Sequence, residues 1–351
     1  MNFVVNNHNI LEIVLITFLV SLGLVFVSKK LAAHVGALDM PNARKVHSKP
    51  MPRMGGIAIF GGFLFGYIMY GDITTQMLSI LIGAFIIFVL GIFDDIKPIK
   101  AKYKFLVQIV AACIVVFYGN LYFDEITFLG LNLTFPTLVN QLIAIFFIVG
   151  AVNAINLIDG LDGLCAGISS IYFITIAIIA FVLNRMQGLD VILCLIMLGS
   201  TLGFLAQNFP PAKTFMGDCG STFLGFMIAV IALLGYKIAT ITSLALPIII
   251  LAIPIFDTSF AILRRLVNHR SIGEPDKQHF HHQLLKMKFS TRKSVLIIYF
   301  INILFSAVSV FFALGDNKVA IIIYLILMVL LLFIVIKTDI LFDKKPKEIE
   351  K

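Results

Sequence analysis

Carboxylates, carboxamides and glycines recur in this sequence in short stretches set between long apolar runs. Gly91-Ile-Phe-Asp94-Asp95-Ile-Lys97 is one such stretch, and Lys100, Lys102 and Lys104 follow it. Two adjacent carboxylates beside a bilayer are costly unless they share a cation or a proton. Mg²⁺ is commonly held by one or two carboxylates together with substrate phosphates, and the lysines behind the pair would balance phosphate charge. The pattern points to phosphate chemistry.

A second stretch, Asn153-Ala-Ile-Asn156-Leu-Ile-Asp159-Gly-Leu-Asp162-Gly163, places a polar group at every third residue. On a straight α-helix neighbours in this series adjoin, but Asn153 and Asp162 would face opposite ways. Gly160 and Gly163 predict that the helix ends here and the chain folds back, which would gather the four polar groups. The stretch has no Lys or Arg, so its acids need a cation from elsewhere.

In the third stretch, Asn208 is followed by Phe215-Met-Gly217-Asp218-Cys-Gly220-Ser221 at the start of an apolar run. A helix N-terminus there suits an anion. Asp218 is the candidate metal ligand and Phe215 a candidate platform for a base. Upstream, Arg44, Lys45, His47 and Arg53 form a basic loop before Gly55 and Gly56, suited to phosphate or diphosphate. Downstream, Arg264 and Arg265 precede Asp276, His279, His281 and His282. Three histidines within four residues can hold zinc. No cysteine lies in that loop, and contact with a diphosphate or sugar is the preferred reading. Asp257 sits about two turns inside an apolar run and is a candidate site for that reason alone.

The elements that must position these groups are membrane helices. Hydrophobic residues make up 60% of the 351 and charged residues 13%, against about 45–50% and about 25% in soluble domains. Eleven spans are predicted near 10–28, 54–70, 76–93, 105–121, 136–155, 164–183, 191–206, 220–236, 241–263, 294–313 and 319–336. The expected fold is thus an all-α polytopic membrane protein of one domain. Its cytoplasmic loops lie near 29–53, 94–104, 156–163, 207–219 and 264–293. With the N-terminus outside and the C-terminus inside, 24 of the 27 lysines and arginines face the cytoplasm, as the positive-inside rule requires. Only Arg185, Lys237 and Lys318 fall outside. The net charge of +8 is therefore read as topogenic and as substrate-binding, with no nucleic acid involved. The first apolar run is long enough to span and lacks a basic leader, so no cleavable signal peptide is expected. Cys113, Cys165, Cys194 and Cys219 lie in or beside apolar runs and are expected as buried free thiols.

Every chemical cluster falls on the inside face. A transporter would instead place ionisable groups near the midplane in broken helices. CDP-alcohol phosphotransferases also use acid-rich membrane sites, but need Ala-Arg shortly after Asp-Gly. Here Leu164-Cys165-Ala166-Gly167 follows Asp162-Gly163. No Gly-Lys dipeptide exists for an ATP-binding loop.

Together the five segments, from Asp39 to His282, resemble the polyprenyl-phosphate N-acetylhexosamine-1-phosphate transferase family. Asn156-Leu-Ile-Asp159-Gly-Leu-Asp162-Gly163 and Phe215-Met-Gly217-Asp218 are highly specific in combination. His279-Phe-His281-His282, with Arg264-Arg265 before it, is similar to the branch that uses UDP-GlcNAc. The alternative branch uses UDP-MurNAc-pentapeptide. The resemblance implies Mg²⁺, with Mn²⁺ as a substitute, and metal binding by Asp218 and Asp94. It implies catalytic roles among Asp94, Asp95, Asp159 and Asp162. Substrate contacts are expected from Arg44, Lys45, His47, Arg53, Lys104, Asn156, Asn208, Phe215, Arg264, Arg265, His279, His281 and His282. The expected partners are UDP-GlcNAc, undecaprenyl phosphate in the inner leaflet of a bacterial cytoplasmic membrane, and a second copy in a homodimer. The expected product, undecaprenyl-diphosphate-GlcNAc, would prime a surface polymer such as teichoic acid or lipopolysaccharide. Direct attack and a phospho-enzyme both remain open at this point, with Asp94 as base or as nucleophile.

Overall fold

A computed structural model describes residues 4–5, 8–40, 50–124, 126–128, 131–237, 245–267, 279–315 and 317–337. Its helices are α1 (Ile10–Val35), α2 (Gly56–Tyr70), α3 (Thr75–Ile96), α4 (Ala101–Cys113, extended by a π turn over Ile114–Tyr118), α5 (Thr137–Ile158), α6 (Leu164–Val182), α7 (Leu189–Asn208), α8 (Asp218–Lys237), α9 (Ala245–Ile250), α10 (Ala252–Val267), α11 (Phe280–Lys286), α12 (Thr291–Ala313) and α13 (Asn317–Lys337). Three two-stranded hairpins punctuate them: β1 (Val4–Val5) with β2 (His8–Asn9), β3 (Leu38–Asp39) with β4 (Met51–Pro52), and β5 (Ile126–Phe128) with β6 (Leu131–Leu133).

Each apolar run predicted as a span corresponds to helix, but the helices differ in kind. Among the described residues, eight are long and apolar enough to cross a bilayer: α1, α3, α4 with its extension, α5, α6, α7, α8 and α12. Helix α2 has 15 residues, about 22 Å at 1.5 Å per residue, short of a hydrocarbon core of about 30 Å. The apolar part of α13, Lys318–Phe333, is also short. The span expected at 241–263 is broken at Leu251 into α9 and α10. Pro254 explains the break, because it has no N–H to donate one turn back to Ile250.

Several helices outrun the apolar segments that announce them. Helix α1 continues seven residues beyond position 28, through Lys29 and Lys30, and stops where the Gly36 N–H bonds the Ala32 carbonyl. Asp94 and Asp95 lie in the last turn of α3, and Lys102 and Lys104 in the first turn of α4. The loops expected at 29–53 and 94–104 are therefore shorter than their polarity suggests. Polarity marks where a chain leaves lipid, and good helix formers carry the helix past that point.

Helix α8 is the centre of the bundle. Of its apolar window 94% is buried, against 22% for α1. It packs on α5, α3 and α2, while α1 packs on α7 and α2. The helices meet backbone to backbone around the start of α8. A Cβ at Gly56 would lie 2.2 Å from the Gly220 nitrogen, and one at Gly91 would lie 2.3 Å from the Cys219 Cα. Only glycine permits these two approaches. They bring the starts of α2 and α8 and the end of α3 to one end of the bundle.

Candidate active site

Adjacent residues on a helix point about 100° apart, so the Asp94-Asp95 pair splits its duties. Asp94 Oδ1 accepts the Ile99 N–H at 2.7 Å, which folds the α3–α4 turn. Its Oδ2 accepts from Lys104 Nζ at 3.1 Å. The same ammonium donates to Asp218 Oδ2 at 2.8 Å. Asp94, Lys104 and Asp218, from α3, α4 and α8, thus form one charged triad. Asp95 turns the other way. Its Oδ1 accepts the Asp218 N–H at 2.8 Å and its Oδ2 the Cys219 N–H at 3.1 Å. The α8 N-terminus, expected to receive a substrate anion, receives this buried carboxylate instead. Arg53 stands 3.8 Å from Asp95 Oδ1 and 3.8 Å from Asp39 Oδ1.

The segment before α8 is laced to the chain before α2. Phe215 N–H donates to the Pro52 carbonyl at 2.8 Å, Gly55 N–H to the Phe215 carbonyl at 2.9 Å, and Gly56 N–H to the Met216 carbonyl at 2.8 Å. Phe215 is half-buried there. Arg44, Lys45, His47 and Asp276 lie outside the described residues.

As the glycines predict, α5 ends at Ile158 and the chain turns through Gly163, at φ 75°, into α6. The polar groups of this turn do not converge on a single point. Asn156 Nδ2 donates to Ser221 Oγ at 2.8 Å, tying α5 to α8. Asn153 bonds Gln108 of α4 at 2.7 Å. Asp162 Oδ2 accepts the Ala212 N–H at 2.9 Å. Asn208, expected to touch a nucleoside, is buried, with Oδ1 accepting from Gly163 N–H at 2.9 Å and Nδ2 donating to the Thr214 carbonyl at 2.8 Å. Asp162 and Asn208 therefore shape the loop between α7 and α8. Asp159 keeps part of its surface open, yet its carboxyl is pushed up to about 7, by burial first and then by the charges of Asp218 and Asp95.

The histidines approach this turn from another direction. Rings of His279, His281 and His282 lie within 4.2–5.8 Å of one another, centroid to centroid. His281 is buried and its imidazole is held down to about 3, chiefly by burial and then by His282. Arg264 and Arg265 are buried near the end of α10.

Two functional candidates escaped the sequence. Ser221 differs little from the other serines of a membrane helix; its place beside Gly217-Asp218-Cys-Gly220 was the available signal. Tyr299 of α12 donates its hydroxyl to the Gly163 carbonyl, and nothing in its surroundings marks it.

The donor set fits a magnesium-type cation. Two carboxylates converge on one ammonium, and all the offered ligand atoms are oxygen. Among the described residues no group of three or more His, Cys, Asp or Glu could hold a metal by itself. Oxygens from substrate phosphates would have to complete the shell, the usual arrangement for Mg²⁺.

Comparison with known proteins bears on the class of reaction. Residues 77–236 match glycosyl transferase family 4. A probable undecaprenyl-phosphate N-acetylglucosaminyl 1-phosphate transferase of Bacillus subtilis is 45% identical over 300 residues, covering 84% of this chain and 83% of the relative. The Haemophilus influenzae undecaprenyl-phosphate alpha-N-acetylglucosaminyl 1-phosphate transferase is 34% identical, over 82% of this chain and 83% of its own. A decaprenyl-phosphate N-acetylglucosaminephosphotransferase of Mycobacterium tuberculosis is 31% identical, over 77% of this chain and 74% of its own.

Proposed function

We propose, from the premise that the chain belongs to glycosyl transferase family 4, that it transfers N-acetylglucosamine-1-phosphate from UDP-GlcNAc to undecaprenyl phosphate. UMP and undecaprenyl-diphosphate-GlcNAc are the products. One observation carries the reaction class: Lys104 bridges Asp94 and Asp218 where three helices end. The donor and acceptor follow from the 45% identical relative.

The acceptor phosphate, a monoester with a second pKa of about 6, is largely dianionic near neutral pH. Its oxygen attacks the sugar-bearing phosphorus of the donor. A new phosphoanhydride bond forms, the donor's own breaks, and UMP leaves with the electron pair. Two anions must meet, so the site must neutralise charge. Lys104 and Arg53 supply fixed cations beside the carboxylates. Asp94 and Asp218 would hold Mg²⁺, which when bound neutralises phosphate oxygens. Both oxygens of Asp94 already accept hydrogen bonds, which suits a group that holds cations better than a covalent nucleophile. Direct attack is the simpler reading. Asp159 faces the same charges and, among the described residues, accepts no hydrogen bond from a cation; it is the best-placed carboxylate to meet substrate. Asp95, Asp162 and Asn208 act by holding the α8 start and the loop before it.

The decisive assay supplies purified protein with undecaprenyl phosphate and either UDP-GlcNAc or UDP-MurNAc-pentapeptide, and scores UMP. Release from UDP-GlcNAc is expected; release from the pentapeptide donor alone would reassign the donor. We also infer a single-face site in the cytoplasmic membrane. Reporters fused after Asn120 and Arg185 should read outside, and those after Lys100 and His282 inside. Reversal at either pair removes the single-face arrangement.

A further inference from the structure

One buried acid has no part in the charge cluster. Asp257 lies within α10, 7% exposed. Both of its oxygens serve the histidine segment. Oδ2 is 2.9 Å from His279 Nδ1, and Oδ1 accepts the Phe280 N–H at 2.8 Å. His279 occupies the N-cap of α11 and makes no side-chain cap of its own, so a carboxylate from another helix performs that task. His279 is itself 5% exposed. The segment also packs on α12 and meets Gly160 of the Asp159-Gly160 turn. The His281 ring lies so close to Gly160 that a Cβ there would come 2.3 Å from Nε2. The histidines are thus held between α10 and the turn that carries Asp159.

We propose that Asp257 is a positioning residue for the transfer reaction, which fixes the His279 ring with Nδ1 as donor and seats α11 on the Asp159-Gly160 turn. The inference rests on the transferase reading above. A carboxylate only accepts hydrogen bonds, so Nδ1 must carry the hydrogen in this pair. Nε2 is then the ring nitrogen left for a ligand. The orientation is set by a group that does not itself meet substrate, just as a carboxylate behind a histidine selects its tautomer elsewhere in enzymology.

Asp257→Asn is the informative variant because it preserves shape. Its amide oxygen can still cap Phe280, but its NH₂ would face His279 and demand that Nδ1 accept. We expect kcat/KM for UDP-GlcNAc to fall by about 10-fold, no more than in His279→Ala, with the KM for undecaprenyl phosphate unchanged. In an Asp257→Asn/His279→Ala double variant the losses should not multiply; the pair should be within about twofold of His279→Ala alone. Asp257→Glu, which keeps the charge, should recover part of the rate. A second readout needs no turnover: carbethoxylation of His279 by diethyl pyrocarbonate, followed by mass spectrometry, should be faster in Asp257→Asn than in the parent. Losses that multiply, or an unchanged rate in Asp257→Asn, would overturn the proposal. So would equal labelling of His279 in parent and variant. If Asp257→Asn does not fold, Asp257→Glu carries the labelling comparison, with His279 expected to label faster than in the parent because the displaced carboxylate holds it only in part. Failure of the parent to release UMP from any donor would sink the transferase reading, while the labelling result would still decide the anchoring.

Discussion

The carboxylate cluster and the histidine segment both bear on the Asp159-Gly160 turn, and they are built differently. Asp94, Asp95, Lys104 and Asp218 sit on the ends of long helices that meet backbone to backbone at Gly56, Gly91 and Gly220. Asp95 hydrogen-bonds two backbone N–H groups there. The histidines ride on a helix of seven residues, tied to the bundle through the side chain of Asp257. One region has its charges placed by the main chain; in the other, the hydrogen bonds that tie His279 and Phe280 to the bundle go to one side chain, Asp257. The difference suits a reaction in which charge neutralisation is common to every donor, while recognition of the sugar varies. A short, side-chain-anchored segment can change without disturbing the helices that hold the charges.

The comparison is sharpened most by removing a charge from the first region. Asp218→Asn and Asp94→Asn should each lower UMP release by at least about 100-fold, the scale on which positioned charged groups matter. Chelation should abolish activity, and Mg²⁺ or Mn²⁺ should restore it. Full activity in chelator would falsify the metal reading. Full activity of Asp218→Asn alone would move the cation elsewhere.

Variants in the second region should cost less and show a different pattern. His279→Ala and His282→Ala are expected to lower kcat/KM for UDP-GlcNAc about 10-fold, with the larger part of the change in KM and the smaller part in turnover. A residue that binds ground state and transition state alike raises KM. Elemental analysis should find no stoichiometric zinc; finding it would replace the proposed sugar recognition by metal binding as the task of the three histidines.

The two regions also differed in how far the sequence disclosed them. Asp94-Asp95, Asp159 and Asp218 were legible because acids beside apolar runs are expensive and demand an explanation. The end of α5 at the Gly160 and Gly163 turn was legible from the glycines. What adjacency could not show was the division of labour. Asp95 turns from Asp94 by the helical step and caps α8, a contact across 123 residues. Asn208 looked like a substrate group, yet both ends of its amide meet backbone. The apolar helices were legible from hydropathy, though eight rather than eleven are long enough to span among the described residues, while the break at Leu251 depends on Pro254 and the extension of α1 on the residues after Ser28. Asp257 stood out as an acid in an apolar run, but its partner at His279 is set by the return of a loop. Nothing local to Tyr299 announces its bond to Gly163.

If backbone approach is what places the first region, adding one methyl group should disturb it. In Gly91→Ala the new Cβ would meet the Cys219 backbone at 2.3 Å, which no side-chain rotation relieves. Overpacking of this kind costs about 1–3 kcal/mol. The melting temperature should drop, and UMP release should fall with it, because Asp95 and Asp218 flank the same contact. Gly150→Ala is the control, since nothing lies within 4 Å of a Cβ there. Equal melting temperatures for the two variants would mean that α3 has room to move and that the carboxylates are placed by their side chains after all.

The smallest expected effect concerns the turn that the two regions share. Burial, with the charges of Asp218 and Asp95, raises the Asp159 carboxyl to about 7, above the ordinary value of about 3.9 for an unfolded chain. Between those values the folded protein holds a proton that the unfolded chain has lost. The stabilisation this proton provides is therefore complete at low pH and declines as pH rises from about 4 through 7. Asp159→Asn cannot ionise and should lack that decline. In chelator, the melting temperature of the parent should fall relative to Asp159→Asn between pH 5 and 8, by a few degrees at most for a chain this large. Divalent cation should flatten the difference, because a cation beside Asp94 and Asp218 offsets the charges that raise Asp159. A parent that gains stability relative to the variant over that range would reverse the sign, and would mean that a cationic charge such as that of Arg53, which acts to lower Asp159, outweighs burial at this turn.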